Sequence, residues 1–137
     1  MGSEMCIRDS GGIVGLLLAS KYPDKLSKLM ISGANLTPKD IKGRDYRRIR
    51  RECKKNPNPF STMMLNEPDI QPVDLHKIKI PTLVLAGEKD LIKKKVTKKI
   101  AENIEHATLV IVPGEGHGSY IEHSDKLYPL LYSFLNK

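Results

Sequence analysis

The sequence predicts an α/β fold built on an open, mostly parallel sheet. Three observations carry this reading. Three short runs, Leu26–Ser32, residues 80–87 and Ala107–Val112, are dominated by apolar and small residues and do not alternate strictly with charged ones. Strands of that kind are covered on both faces, as in parallel sheets. Segments of helical period separate and follow them, which is the pattern of βαβ crossovers.

Taken in order, residues 12–21 read as a buried helix, closed by Pro23, which disfavours helical geometry in the residue before it. Residues 11–19 are the longest apolar run, far too short to span a bilayer. No cleavage pattern follows it, so it does not read as a signal peptide. Leu26–Ser32 is the first strand. Residues of about 36 to 75 are basic, contain Pro and Met, and are mostly helical without a strand signal, which suggests a small helical cap. The run Ile80-Pro81-Thr82-Leu83-Val84-Leu85-Ala86-Gly87 is a continuous apolar strand ending on glycine. A helix over 93–104 leads to the third strand, Ala107–Val112, and a terminal helix over 124–135 carries the stripe Leu127, Leu130, Leu131 and Phe134.

The first residues stand apart. Residues 4–9 show neither a helical nor a strand period, and residues 1–9 resemble a translated sequencing adapter or an added translation start. Residues 1–10 are therefore expected to be a foreign or disordered start, with one partial domain over 11–137.

At 137 residues, 39% of them hydrophobic, the chain can bury a real core, and disorder on compositional grounds is not expected. Two cysteines, Cys6 and Cys53, give neither a disulfide framework nor metal-ligand spacing, so a reducing, cytoplasmic setting is expected, with no metal or other cofactor. The net charge of +7 raises the possibility of an acidic partner such as nucleic acid. Much of the excess sits in two clusters, Lys42 to Lys55 and Lys93 to Lys99. Both are interleaved at helical spacing with apolar residues: Tyr46, Ile49 and Cys53 in the first, Ile92, Val96, Ile100 and Ile104 in the second. That is the solvated face of a surface helix, and stacking aromatics are sparse, so neither nucleic acid nor membrane is expected as a partner. A non-catalytic basic binding module is the competing reading.

In open α/β sheets the chemistry gathers at the carboxyl ends of the strands. The loop after the second strand is Gly87-Glu88-Lys89-Asp90, and the loop after the third is Pro113-Gly114-Glu115-Gly116-His117-Gly118. An acid and a histidine on neighbouring strand-end loops, 27 residues apart, are separated by what one helix and one strand require. A hydrolytic triad needs this pair: the histidine takes the proton of a weak nucleophile, and the carboxylate fixes its tautomer. Asp90 and His117 are the candidates, with Glu88 the alternative acid. His76, His106 and His123 lack an acid at a strand end and read as surface residues. Ser119 lies too near His117 in sequence to be its nucleophile.

With these residues the chain resembles the α/β-hydrolase family, whose triad runs nucleophile, acid, histidine. Residues 81–90 resemble the family's acid-bearing strand and loop, and residues 112–117 its histidine loop. Gly11-Gly12-Ile13-Val14-Gly15-Leu16, Lys21-Tyr22-Pro23 and Ser32-Gly33-Ala34-Asn35 are similar to the valacyclovir-hydrolase-like, or biphenyl-hydrolase-like, branch. The resemblance covers essentially residues 11–137 and implies the C-terminal half of the family's sheet, with three strands. It implies a parent enzyme that cleaves a small carboxylic ester or amide through an acyl-serine intermediate, without a cofactor. Tyr46, Phe60, Met63 and Met64 of the cap are candidates for the acyl pocket or for ordinary cap packing.

The nucleophile does not fit cleanly. The family elbow is Gly-x-Ser-x-Gly. Aligning its paired glycines on Gly11-Gly12 puts the nucleophile on Asp9; the other register puts it on Ser10. The leading glycine is Ile7 in one case and Arg8 in the other, which suggests that a foreign segment is joined at Ser10 or Gly11. One oxyanion donor follows the nucleophile and the other comes from a loop early in the fold. Losing one donor costs about 10²–10³ in rate, so the chain as given is expected to be a weak catalyst. An exposed sheet edge where a strand is missing is expected to invite self-association.

Overall fold

The computed structural model describes residues 3–8 and 10–137, except the side chains of Ile7, Arg8, Ser10 and Phe60. Four parallel strands form one sheet in the order β1-β2-β3-β4: β1 (Ser3–Arg8), β2 (Leu26–Ser32), β3 (Thr82–Gly87) and β4 (Ala107–Val112). Helix α1 (Ser10–Lys21) connects β1 to β2, and α5 (Lys94–Asn103) connects β3 to β4. Between β2 and β3 lie α2 (Gly43–Lys55), α3 (Pro59–Asn66) and α4 (Pro72–His76), and α6 (Leu127–Leu135) ends the fold.

The period of two in the strands sorts side chains into two cores. Leu29 and Ile31 of β2 and Val84 of β3 face α1, α4 and α5, where Leu16, Ala19, Leu75, Val96 and Ile100 close the larger cluster. Met30, Leu83 and Leu85 face the other way, against Tyr120 and Phe134. Both faces of the central strands are thus covered, and β3 is buried along its whole length. Burial of such side chains contributes about 1.5–3 kcal/mol each.

The strands β2 and β4 have the bounds expected of them, and β3 begins two residues later than its apolar run, after Pro81. The N-terminal start departs from expectation. Ser3–Arg8 is not outside the fold: it pairs in parallel with β2, from Ser3 beside Leu26 to Arg8 beside Ser32, making four strands where three were expected. The physical reason is that an edge strand is held chiefly by its backbone ladder, with an apolar anchor on the covered face. Met5 supplies it, packing against the larger core, while Glu4 and Cys6 are exposed.

The segment expected as a cap is helical. On α2, Tyr46 and Ile49 pack against the larger core and the basic side chains face outward; no residue of α2 is buried. Leu36, Ile41, Ile70 and Leu75 near the ends of the segment belong to the main core, so only its middle stands off the sheet.

Candidate active site

The carboxyl ends of the strands lie on one side of the sheet, and the loops after β3 and β4 meet there. Their backbones are tied together: Glu88 N–H donates to Val112 O at 3.0 Å and Lys89 N–H to Glu115 O at 2.8 Å. Gly114 N–H donates to Glu88 Oε1 at 3.1 Å, so that carboxylate holds the loop and is not turned to the histidine. Gly87 makes the crossing possible. A Cβ there would lie 2.2 Å from Gly116 O and 2.4 Å from Glu115 O, which no side chain can tolerate.

Asp90 is 2% exposed. Its Oδ1 accepts from Ile92 N–H at 3.1 Å and lies 2.7 Å from His117 Nδ1; its Oδ2 accepts from Gly87 N–H at 3.3 Å. Burial opposes ionisation of this carboxyl, but the bonds from His117, Ile92 and Gly87 together outweigh it and hold the pKa below the ordinary carboxylate value. The ionised carboxylate can only accept, so the hydrogen between the two side chains sits on His117 Nδ1. In the neutral ring this makes Nε2 the basic nitrogen. The His117 side chain is 26% exposed, open enough to meet a ligand.

The Cε1–Nδ1 edge of the ring lies against Gly33, at the end of β2. Gly33, directly after Ser32, has φ +64, and a Cβ on it would come within 2.5 Å of His117 Cε1 and 2.8 Å of Nδ1. Gly33 N–H is bonded to Leu85 O at 3.1 Å, which fixes this contact to the sheet. Three residues past His117, the fully buried Tyr120 hydrogen-bonds through its hydroxyl to Ser32 Oγ. Sequence reasoning quoted Ser32 and Gly33 for their family likeness without placing them beside the histidine, and it missed Tyr120, which no local period marks.

The remaining candidates fall as follows. His76 is exposed and its Nε2 is 2.9 Å from Asn103 Oδ1; His106 and His123 are also exposed. The Ser119 hydroxyl accepts from Gly116 N–H at 2.9 Å and donates to Glu115, which also pairs with Lys126. Asp9 and the side chain of Ser10 lie outside the described residues, as does the side chain of Phe60. A cavity of about 560 Å³ opens between α1 and α3, lined by Ile13, Val14, Leu17, Asn35, Met63 and Met64 among others. Tyr46 is not part of its wall and packs on the main core instead. No group of three or more potential metal ligands occurs among the described residues, and none of their helices is long and apolar enough to cross a membrane.

Comparison with known proteins gives the same architecture. The chain is 34% identical over 77 residues to the AB hydrolase superfamily protein YisY of Bacillus subtilis, covering 56% of this chain and 28% of that one. It is 26% identical to the serine hydrolase BPHL of Mus musculus, over 91% of this chain and 52% of that one. Among solved structures, the meta-cleavage product hydrolase CumD of Pseudomonas fluorescens superposes with a TM-score of 0.75 at 19% identity, over 98% of this chain and 65% of that one. At that identity the superposition speaks for the fold alone. The chain thus spans between about a quarter and two thirds of the length of these relatives. The model of the TAP-like protein family, a family of α/β-hydrolases, matches residues 42–137, and over this stretch, which holds both strand-end loops, the chain belongs to the α/β-hydrolases.

Proposed function

We propose that this chain carries the acid and the base of a serine hydrolase that cleaves a small carboxylic ester or amide. The observation that carries the reading is the 2.7 Å contact between the buried Asp90 carboxylate and His117 Nδ1 at the carboxyl ends of neighbouring strands. In this mechanism Asp90 keeps the hydrogen on Nδ1, so Nε2 takes the proton from the nucleophile and then returns it to the leaving alcohol or amine. Asp90 stabilises the imidazolium formed between the two steps. The cavity over α1 is largely apolar and suits the acyl or aryl part of such a substrate, with Met63 and Met64 of the helical cap in its wall.

The nucleophile of this family stands where the strand passes into the helix that follows it, and Ser10, the first residue of α1, is the candidate. It lies at the same end of the sheet as the His117 loop, since Arg8 pairs with Ser32, the residue before Gly33. Arg8 in place of the elbow's leading glycine argues for slow turnover. Two free cysteines fit a reducing, cytoplasmic setting. The outer edge of β1, which pairs only with β2 among the described strands, is the surface we assign to self-association.

Labelling with a fluorophosphonate tests the proposal. A single adduct mapped to Ser10, lost in His117→Ala, is the expected result. Labelling of another serine, or labelling at an unchanged rate without His117, would overturn it.

A further inference from the structure

We propose that the buried hydroxyl pair of Ser32 and Tyr120 positions the His117 imidazole, making both of them positioning residues for the reaction proposed above, on which this inference rests. The Asp90 contact holds the Nδ1 edge of the ring. Two further constraints come from consecutive residues at the end of β2. Gly33 lies beside the Cε1–Nδ1 edge of the ring, close enough that a single methyl group there would collide with both atoms. Ser32 holds the far side of the same loop through Tyr120, three residues beyond His117. On its near side the loop is held to the segment just after β3 by the bond from Lys89 N–H to Glu115 O.

The loop is therefore clamped on both sides of His117, by the segment just after β3 on one side and by β2 on the other. Tyr120 is wholly buried and its ring fills the smaller core with Met30, Leu85 and Phe134. Apolar packing alone would be served as well by phenylalanine. The hydroxyl adds direction: it ties the loop to the strand end on which the imidazole rests. Their effect on the reaction passes through the position of the ring.

Tyr120→Phe keeps the ring in the core and removes only the hydroxyl; Ser32→Ala removes the other partner, and Ser32→Thr retains a hydroxyl. The readout is the proton NMR signal of His117 Nδ1–H. A hydrogen bond to a buried carboxylate moves it far downfield of the amides, and Asp90→Asn assigns it by its loss. Tyr120→Phe and Ser32→Ala are expected to shift and broaden this signal and to speed its exchange with water about tenfold. Ser32→Thr and the surface variant Tyr128→Phe leave it in place. A signal unchanged in both Tyr120→Phe and Ser32→Ala, with only a lower melting temperature, would show a purely structural role and overturn the inference. If the unaltered chain has no such signal, the Asp90–His117 reading itself fails and the inference falls with it.

Discussion

Replacing Gly87 with alanine puts a methyl group where the histidine loop crosses the end of β3. Its Cβ would stand 2.2 Å from Gly116 O and 2.4 Å from Glu115 O, both backbone atoms that cannot swing aside like the end of a side chain. Reaching ordinary contact near 3.4 Å requires a displacement of about 1.2 Å in the loop that carries His117. Overpacking of this kind typically costs about 1–3 kcal/mol. An unfolding entropy of about 2.1 cal/mol/K per residue makes this a loss of about 3–10 °C in Tm for 137 residues. The functional cost is larger, because misplacing a reacting group by about 1 Å can cost about 10²-fold in rate. Gly116→Ala is the control: a Cβ there meets nothing closer than 3.9 Å and should leave Tm nearly unchanged. Thermal unfolding followed by circular dichroism, with ester hydrolysis in parallel, reads both effects. If Gly87→Ala melts with the unaltered chain and Gly116→Ala does not, the crossing geometry is wrong.

Other expectations follow from the same contacts. Asp90→Asn turns an acceptor of three bonds into a group with one amide end, which faces a donor whichever way it is turned; a loss of about 1.5–3 kcal/mol is expected in denaturant unfolding. The folded-state pKa of Asp90 lies below its ordinary value of 3.8. Its ionised form therefore contributes stability that is full above pH 3.8 and lost as pH falls through the lower folded value. Asp90→Asn should flatten that acid limb, and an unchanged limb would mean that other carboxylates account for it. Gly33→Ala combines a strained positive φ with the clash on His117 and should reduce activity far more than its cost in stability, about 1–2 kcal/mol, would explain. Charge reversal at Arg47 and Arg51, both exposed on α2, should move stability by no more than about 0.5 kcal/mol. It should also leave hydrolysis insensitive to salt; tight nucleic-acid binding that these reversals abolish would favour the basic binding module instead.

The parts of this fold that were legible in the sequence are those with an internal signature. β2 and β4 could be bounded to the residue because both lie between turn-forming stretches, and Asp90 and His117 because strand ends are where a parallel sheet does chemistry. β1 was not legible. Ser-Glu-Met-Cys-Ile-Arg has no period, and its place in the sheet comes from backbone pairing with β2 and, among the described side chains, from the packing of Met5. The seating of the histidine was hidden for a different reason. Gly33 meets His117 across 84 residues of chain and Ser32 meets Tyr120 across 88, and no local pattern announces tertiary contacts of that kind. Burial sets the two acids of that loop apart: Asp90 is buried against His117, while exposed Glu88 bonds to Gly114.

The central claim is that His117, oriented by Asp90, is the base of a hydrolytic site. Its most direct test is kcat/KM for a short-chain nitrophenyl ester, measured for the unaltered chain and for His117→Ala against the uncatalysed rate. The account predicts that whatever rate enhancement the chain shows is lost with the imidazole, by up to about 10⁶-fold where the whole triad operates. A His117→Ala protein that hydrolyses the ester as fast as the unaltered one would contradict it.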